Sequence, residues 1–315
     1  MTSAVVLLIG GCTQREEHGA LSSVEEVSFQ RTSGGVQLLS RIVGDLQEAR
    51  RSPSVFVEKH GILVVGGCLE RGNHLRTAER FYTRGSSFNS GSLFSNVIEA
   101  KSCAASWKLN DNTGAIIGGF NGADCLKSVE LIKLNDEEPC STSLHDIPFR
   151  LKNSVAVGLT NGDVLLFGGW DESRTMKTVF RLSFDECHTS LDTKMETMLP
   201  SEVEAHSCVV HGDYVYIIGG YDGISVVDSI VRYSISNRTS EVIPTRLSTA
   251  RENHVSELIL DRYVVVMAGW DGRQALDSVE IFECVEESPY LIPVETDFKL
   301  SQARIRPASV VPNYS

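Results

Sequence analysis

An all-β chain folded as a ring of six similar sheets is predicted by three observations. A short apolar run ending in a glycine pair recurs six times: Ala4–Ile9 before Gly10-Gly11, Ile62–Val65 before Gly66-Gly67, Ala115–Ile117 before Gly118-Gly119, Val164–Phe167 before Gly168-Gly169, Tyr214–Ile218 before Gly219-Gly220, and Tyr263–Met267 before Ala268-Gly269. The second glycines, at 11, 67, 119, 169, 220 and 269, are spaced by 56, 52, 50, 51 and 49 residues. In phase with them comes Ser23, Thr77, Ser128, Thr178, Ser229 or Ser278, each opening a run that alternates apolar and polar residues. Alternation at period two marks a strand. A unit of this length with several short strands and a glycine pair is the sequence mark of a β-propeller blade, whose sheet hides its two faces only by stacking on neighbours around an axis.

Each blade then needs an inner strand a, the glycine-bearing strand b, and outer strands c and d. Strand b is the apolar run, and its glycines stand where a side chain would meet the adjacent blade. Strand c starts at the phased hydroxyl. Two residues later it carries Glu25, Glu79, Glu130 and Glu280 in four copies, and Phe180 and Val231 in the others. Strand a is expected at Ser54–Val57, Ala104–Trp107, Val155–Val157, Cys208–Val210 and His254–Leu258. The first glycine pair has too little chain before it for a strand a. Ala308–Val311 supplies it from the other end, so the C-terminal strand pairs with the N-terminal one and closes the ring. Met1–Cys12, which superficially looks like a lipoprotein signal, is therefore expected to hold a structural strand. Residues 1–315 are expected to form a single six-bladed domain.

The copies Tyr263–Phe282 (YVVVMAGWDGRQALDSVEIF) and Tyr214–Tyr233 (YVYIIGGYDGISVVDSIVRY) resemble kelch repeats: apolar strand, Gly-Gly, aromatic, Asp-Gly, then a strand ending in an aromatic. The resemblance runs over nearly the whole chain. Two departures are Ala268 in the sixth pair and the absence of the fourth-strand tryptophan of kelch blades. Trp107 lies in a first strand, and Trp170 and Trp270 follow glycine pairs, so core packing falls to other residues such as Phe88 and Tyr290.

The mouth of the ring holds the candidate site. In the turn before each strand a, one aligned position reads Arg50, Lys101, Lys152, Val203, Arg251 and Arg304, and the next reads Arg51, Ser102, Asn153, Glu204, Glu252 and Ile305. The chain has 29 basic and 41 acidic residues, net −12, so five cations in six equivalent places are a concentrated bias. Residues just after the glycines share this face and include Phe120, Trp170, Tyr221 and Trp270. A cationic, aromatic mouth focuses potential on acidic ligands and matches carboxylate or phosphate geometry. The alternative is that these arginines bridge neighbouring blades and that Trp270-Asp271-Gly272 and Tyr221-Asp222-Gly223 build turns.

Kelch domains of the BTB–kelch adaptors of cullin-type ubiquitin ligases bind short acidic peptides at this face. The candidate partner-binding residues are Arg50, Arg51, Lys101, Lys152, Arg251 and Arg304 with Phe120, Trp170, Tyr221 and Trp270, and by resemblance Arg50, Arg251 and Arg304 with Tyr221 and Trp270 are the best-matched positions. The expected function is a non-enzymatic protein-interaction module for an acidic or phosphorylated segment. Other kelch proteins add an actin or cytoskeletal scaffold as a second reading, and six-bladed kelch sugar mutarotases a third.

Composition narrows the classes. The acidic balance opposes a nucleic-acid partner, and no apolar run is long enough for a membrane span. The eight cysteines contain no CxxC pair, which reads as reduced thiols in a cytoplasmic protein. No nucleotide, hydrolase or zinc-protease motif occurs, the histidines lack ligand spacing, and no cofactor or metal is expected. Arg50-Arg51-Ser52-Pro53 has the form of a kinase target but falls within the turn before a strand. Phosphate on Ser52 there would set negative charge beside two arginines.

Overall fold

The computed structural model describes residues 3–14, 19–32, 35–69, 72–84 and 87–312. Six four-stranded antiparallel sheets form the predicted ring. Blade 1 takes strand a from Ala308–Val310 and strands b to d from Ser3–Ile9, Ser23–Thr32 and Gly35–Asp45. Pairing of Leu7, Leu8 and Ile9 with Val310, Ser309 and Ala308 joins the two ends of the chain. Blade 2 runs from Ser54 to Phe94, blade 3 from Ala105 to Ser143, blade 4 from Val155 to Met198, blade 5 from Ser207 to Arg246 and blade 6 from Val255 to Val294. The expected inner strands fall within one residue of their observed starts.

Period-two alternation on strand b explains how the ring packs. Leu7 and Ile9 face blade 2 and join Ile62, Val64 and Phe81, while Val6 and Leu8 face blade 6 and join Val265 and Met267. Each of the six junctions between neighbouring blades has such a buried apolar cluster. Every strand b is thus apolar on both faces, which is why it reads as a continuous apolar run. Tyr290 packs at the junction of blades 5 and 6, as expected; the Phe88 side chain lies outside the described ones.

The first glycine of each pair turns the chain toward the next blade in a left-handed conformation. At Gly168 φ is +54°, and a Cβ there would stand 2.1 Å from the Val203 carbonyl oxygen. Ala268 holds the same conformation with φ +64° at the sixth copy, at the strain that a left-handed non-glycine carries.

Candidate functional site

Four successive residues in the turn before each strand a have fixed tasks. The first gives its carbonyl to the second glycine of the preceding blade: Arg50 to Gly11, Lys101 to Gly67, Leu151 to Gly119, Val203 to Gly169, Arg251 to Gly220 and Arg304 to Gly269, all at 2.7–2.9 Å. The second bridges to the residue after the glycine pair of its own blade, as in Arg51 with Cys68, Ser102 with Phe120, Lys152 with Trp170, Glu204 with Tyr221 and Glu252 with Trp270. The third is Ser52, Cys103, Asn153, Ala205, Asn253 or Arg306, each with φ between +49° and +57°. The N–H of each donates to the carbonyl of its counterpart in the preceding blade, at 2.7–3.2 Å, and six such bonds run unbroken around the axis. The fourth, such as Ser154, His206 or His254, lines the axial opening.

This geometry corrects the expected alignment. Lys152 belongs to the second position, and Leu151 is the true counterpart of Arg50, because Leu151, like Lys101 and Arg251, stands 18 residues before the second glycine of its blade, where Arg50 and Val203 stand 17 before theirs. The expected cationic ring at the mouth is corrected too. Arg50, Arg251 and Arg304 are 0% exposed and Lys101 is 1% exposed. They lie inside the wall between blades.

Arg50 Nη1 donates to the Gly66 carbonyl at 2.9 Å and Nη2 to Glu48 Oε2 at 3.1 Å. Arg251 Nη1 donates to the Ala268 carbonyl at 2.9 Å and Nη2 to Glu280 Oε1 at 2.7 Å. Arg304 repeats this with the Gly10 carbonyl at 3.1 Å and Glu25 Oε2 at 2.7 Å. Lys101 Nζ reaches Ser128 Oγ at 2.8 Å and Glu130 Oε1 at 2.6 Å. The phased hydroxyls and glutamates of strand c are therefore the partners of these cations. Burial pulls the three guanidiniums below their ordinary value, and the adjacent carboxylates oppose that pull.

The remaining expected residues do reach the mouth. Lys152 Nζ sits over the Phe120 ring at 4.5 Å and the Trp170 ring at 4.4 Å from their centroids, close enough for cation–π attraction to both. Beside it a cleft of about 440 Å³ is lined by Arg51, Lys152 and Arg306, with His74, Cys68 and Cys103. None of these three cations forms an ion pair with a described residue. Arg306 is a site residue that sequence reasoning passed over. Its signal was present, since it stands two residues after Arg304, at the ring position that Ser52 occupies after Arg50.

Tyr221 and Trp270 are half-buried on the far side of the mouth, where they bridge to Glu204 and Glu252. The Glu204 carboxylate accepts from Asn153 Nδ2 at 2.7 Å and Thr175 Oγ1 at 3.0 Å. The mouth is therefore basic on blades 2, 4 and 1, while blades 5 and 6 carry the half-buried Glu204 and the buried Glu252 at the equivalent turn position. Asp171, Asp222 and Asp271 are turn builders, each Oδ1 accepting two backbone N–H groups two and three residues on. Ser52 is half-buried with its backbone N–H and carbonyl committed to the ring.

His206 and His254 stand side by side at the axis. Burial pushes His206 down to about 3, and burial beside Arg251 holds His254 well below its ordinary value. Both are neutral imidazoles near pH 7. Among the described residues no cluster of three or more His, Cys, Asp and Glu side chains could hold a metal, and no helix is long and apolar enough to cross a membrane.

Comparison with known proteins fits this geometry. The kelch motif profile matches residues 205–246, which is blade 5 with its leading turn. No curated protein matches the sequence. Among solved structures, the one described as the structure of YjhT superimposes with a TM-score of 0.69 at 12% identity, over 90% of this chain and 98% of that one. The motif and the six-bladed ring together support a kelch-repeat propeller. The expectation of a chain without enzymatic activity is corrected by this likeness: the ring shared with YjhT is one on which enzymes are also built, so the fold does not set catalysis aside.

Proposed function

We propose that this propeller is a protein-interaction module that receives an acidic segment of a partner on the basic half of its mouth. The observation that carries the reading is the placement of Lys152 between Phe120 and Trp170, with Arg51 and Arg306 on the same cleft. Aromatic walls supply contact area at little entropic cost, and cations that no described carboxylate neutralises favour an anionic visitor. The arginine fork suits a carboxylate or a phosphate in two-point contact. The far side carries no cation at this turn position, Glu204 standing there in place of Arg51 or Lys152, so the visitor's negative charge is drawn to one side of the opening. The likeness to adaptor kelch domains makes a ubiquitin-ligase substrate a fitting source of the segment. An actin filament is the other partner that the kelch resemblance implies, and no residue at this mouth selects it.

The test is an array of twelve-residue peptides graded from acidic to basic, including phosphoserine versions, probed with the purified chain. Retention should follow acidic content and weaken as salt rises past the range where exposed charges are screened. Retention that follows apolar content, with no response to salt, contradicts the reading.

A further inference from the structure

All eight cysteines are free thiols, and three of them gather on the basic side of the mouth. Cys12 and Cys68 follow the glycine pairs of blades 1 and 2, and Cys103 stands in the hydrogen-bonded ring between Ser52 and Asn153. Cys103 lines both the axial opening and the neighbouring cleft. Arg306 lines both as well, and Arg51 and Lys152 line the cleft. No described carboxylate lines either opening. Ser102 Oγ donates to Cys103 Sγ at 3.5 Å. His206 lines the same axial opening, is 5% exposed, and leaves both ring nitrogens without a hydrogen-bond partner. Buried polar atoms of this kind call for a polar visitor.

We propose that Cys103 is the oxidant-reactive thiol of this chain, taking hydrogen peroxide at the basic opening and becoming a sulfenic acid. The inference does not rest on partner binding. Reactive thiols are those held as thiolates in electropositive, partly open surroundings. Burial pushes Cys12 up despite Arg306 and Arg51, and pushes Cys125 and Cys284 to about 11. At Cys103 burial acts in the same direction but is outweighed by Arg306, the hydroxyls of Ser52 and Ser102, and Lys152, which together hold the thiol below its ordinary value. His74, the remaining titratable neighbour in the cleft, is lowered by burial, Arg51 and Lys152 and is neutral at pH 7.

In the reaction the thiolate sulfur attacks the nearer peroxide oxygen. The S–O bond forms, the O–O bond breaks, and two electrons pass from sulfur to peroxide. The far oxygen leaves as hydroxide and takes a proton from solvent to become water.

The test treats the reduced full chain with graded peroxide in the presence of dimedone and maps the labelled cysteine by mass spectrometry, with Cys103→Ser as the assignment control. Cys103 should be labelled at lower peroxide than the exposed Cys140 and Cys187. Its alkylation by iodoacetamide at pH 7 should fall several-fold in Arg306→Gln, with the midpoint of its pH–rate curve moved upward and Cys140 unchanged. Lys152→Met gives the same readout from the other cation. Labelling of Cys140 or Cys187 ahead of Cys103 overturns the proposal. So does a Cys103 rate and midpoint that neither substitution moves.

Discussion

Arg304 Nη2 lies 2.7 Å from Glu25 Oε2, both side chains 0% exposed, across 279 residues of sequence. The pair ties the last leading turn to strand c of the first blade, beside the strand pairing that closes the ring. The same wall position pairs Lys101 with Glu130 and Arg251 with Glu280, and brings Arg50 within 3.9 Å of Glu79. Where the cation is absent, the carboxylate is absent too. Leu151 shares a buried cluster with Phe180, and Val203 one with Val231. Charge and countercharge come and go together because either alone in this wall is a buried charge without compensation.

Breaking one such pair should therefore cost far more than replacing both members. Arg251→Val or Glu280→Val alone is expected to destabilise the chain by about 3–5 kcal/mol. The double replacement copies the apolar pair of blade 5 and should unfold at a clearly higher denaturant concentration than Arg251→Val alone. Equilibrium unfolding in urea checks this. A double variant no more stable than either single one contradicts the coupling.

The glycine that turns the chain toward the next blade offers a second check. Gly168→Ala forces a Cβ to within 2.1 Å of the Val203 carbonyl oxygen at φ +54°. Gly162→Ala, at φ +90° with nothing within 4 Å, adds only backbone strain. A strained left-handed residue costs about 1–3 kcal/mol, so Gly162→Ala should lose that much and Gly168→Ala distinctly more. Thermal unfolding of the two variants ranks them.

Stability should also respond to pH through Glu257. Burial raises its carboxyl to about 7, with a bond from Ser309 Oγ at 2.7 Å acting against the shift. The folded value lies above the unfolded one, so the folded state binds the proton more tightly. This contribution is fully present below about 4.5, the ordinary value, and is lost as pH rises through about 7. Glu257→Gln should flatten the decline in unfolding free energy between these limits. An unchanged slope in the variant, measured by urea unfolding across the window, speaks against a raised Glu257 carboxyl.

Most of the architecture was legible because it rests on repetition. Six glycine pairs, six apolar strands and the spare strand at Ala308 follow from period and phase, and local spacing is all that phase requires. The mouth was half legible. A cation in a repeat turn reads the same whether it faces water or the next blade, and sequence spacing does not say which. The countercharge pattern did say. Glu25, Glu79, Glu130 and Glu280 are missing in the two copies that lack a wall cation, which marks Arg50, Lys101, Arg251 and Arg304 as bridges between blades. The one-residue misplacement of Lys152 masked that match. With Leu151 in its place, Phe180 becomes its apolar partner, and Lys152 is freed for the mouth beside Phe120 and Trp170.

The central claim is that Arg51, Lys152 and Arg306 form a receptor for an acidic segment while the buried cations hold the ring. Fluorescence anisotropy of the best-retained acidic peptide, titrated with the wild-type chain and with Arg51→Gln/Lys152→Gln/Arg306→Gln, tests it most directly. The expected result is at least a tenfold loss of affinity, about 1.4 kcal/mol or more, with the urea midpoint of the variant unchanged. Affinity within twofold of wild type, in a variant that folds as stably, would contradict the account.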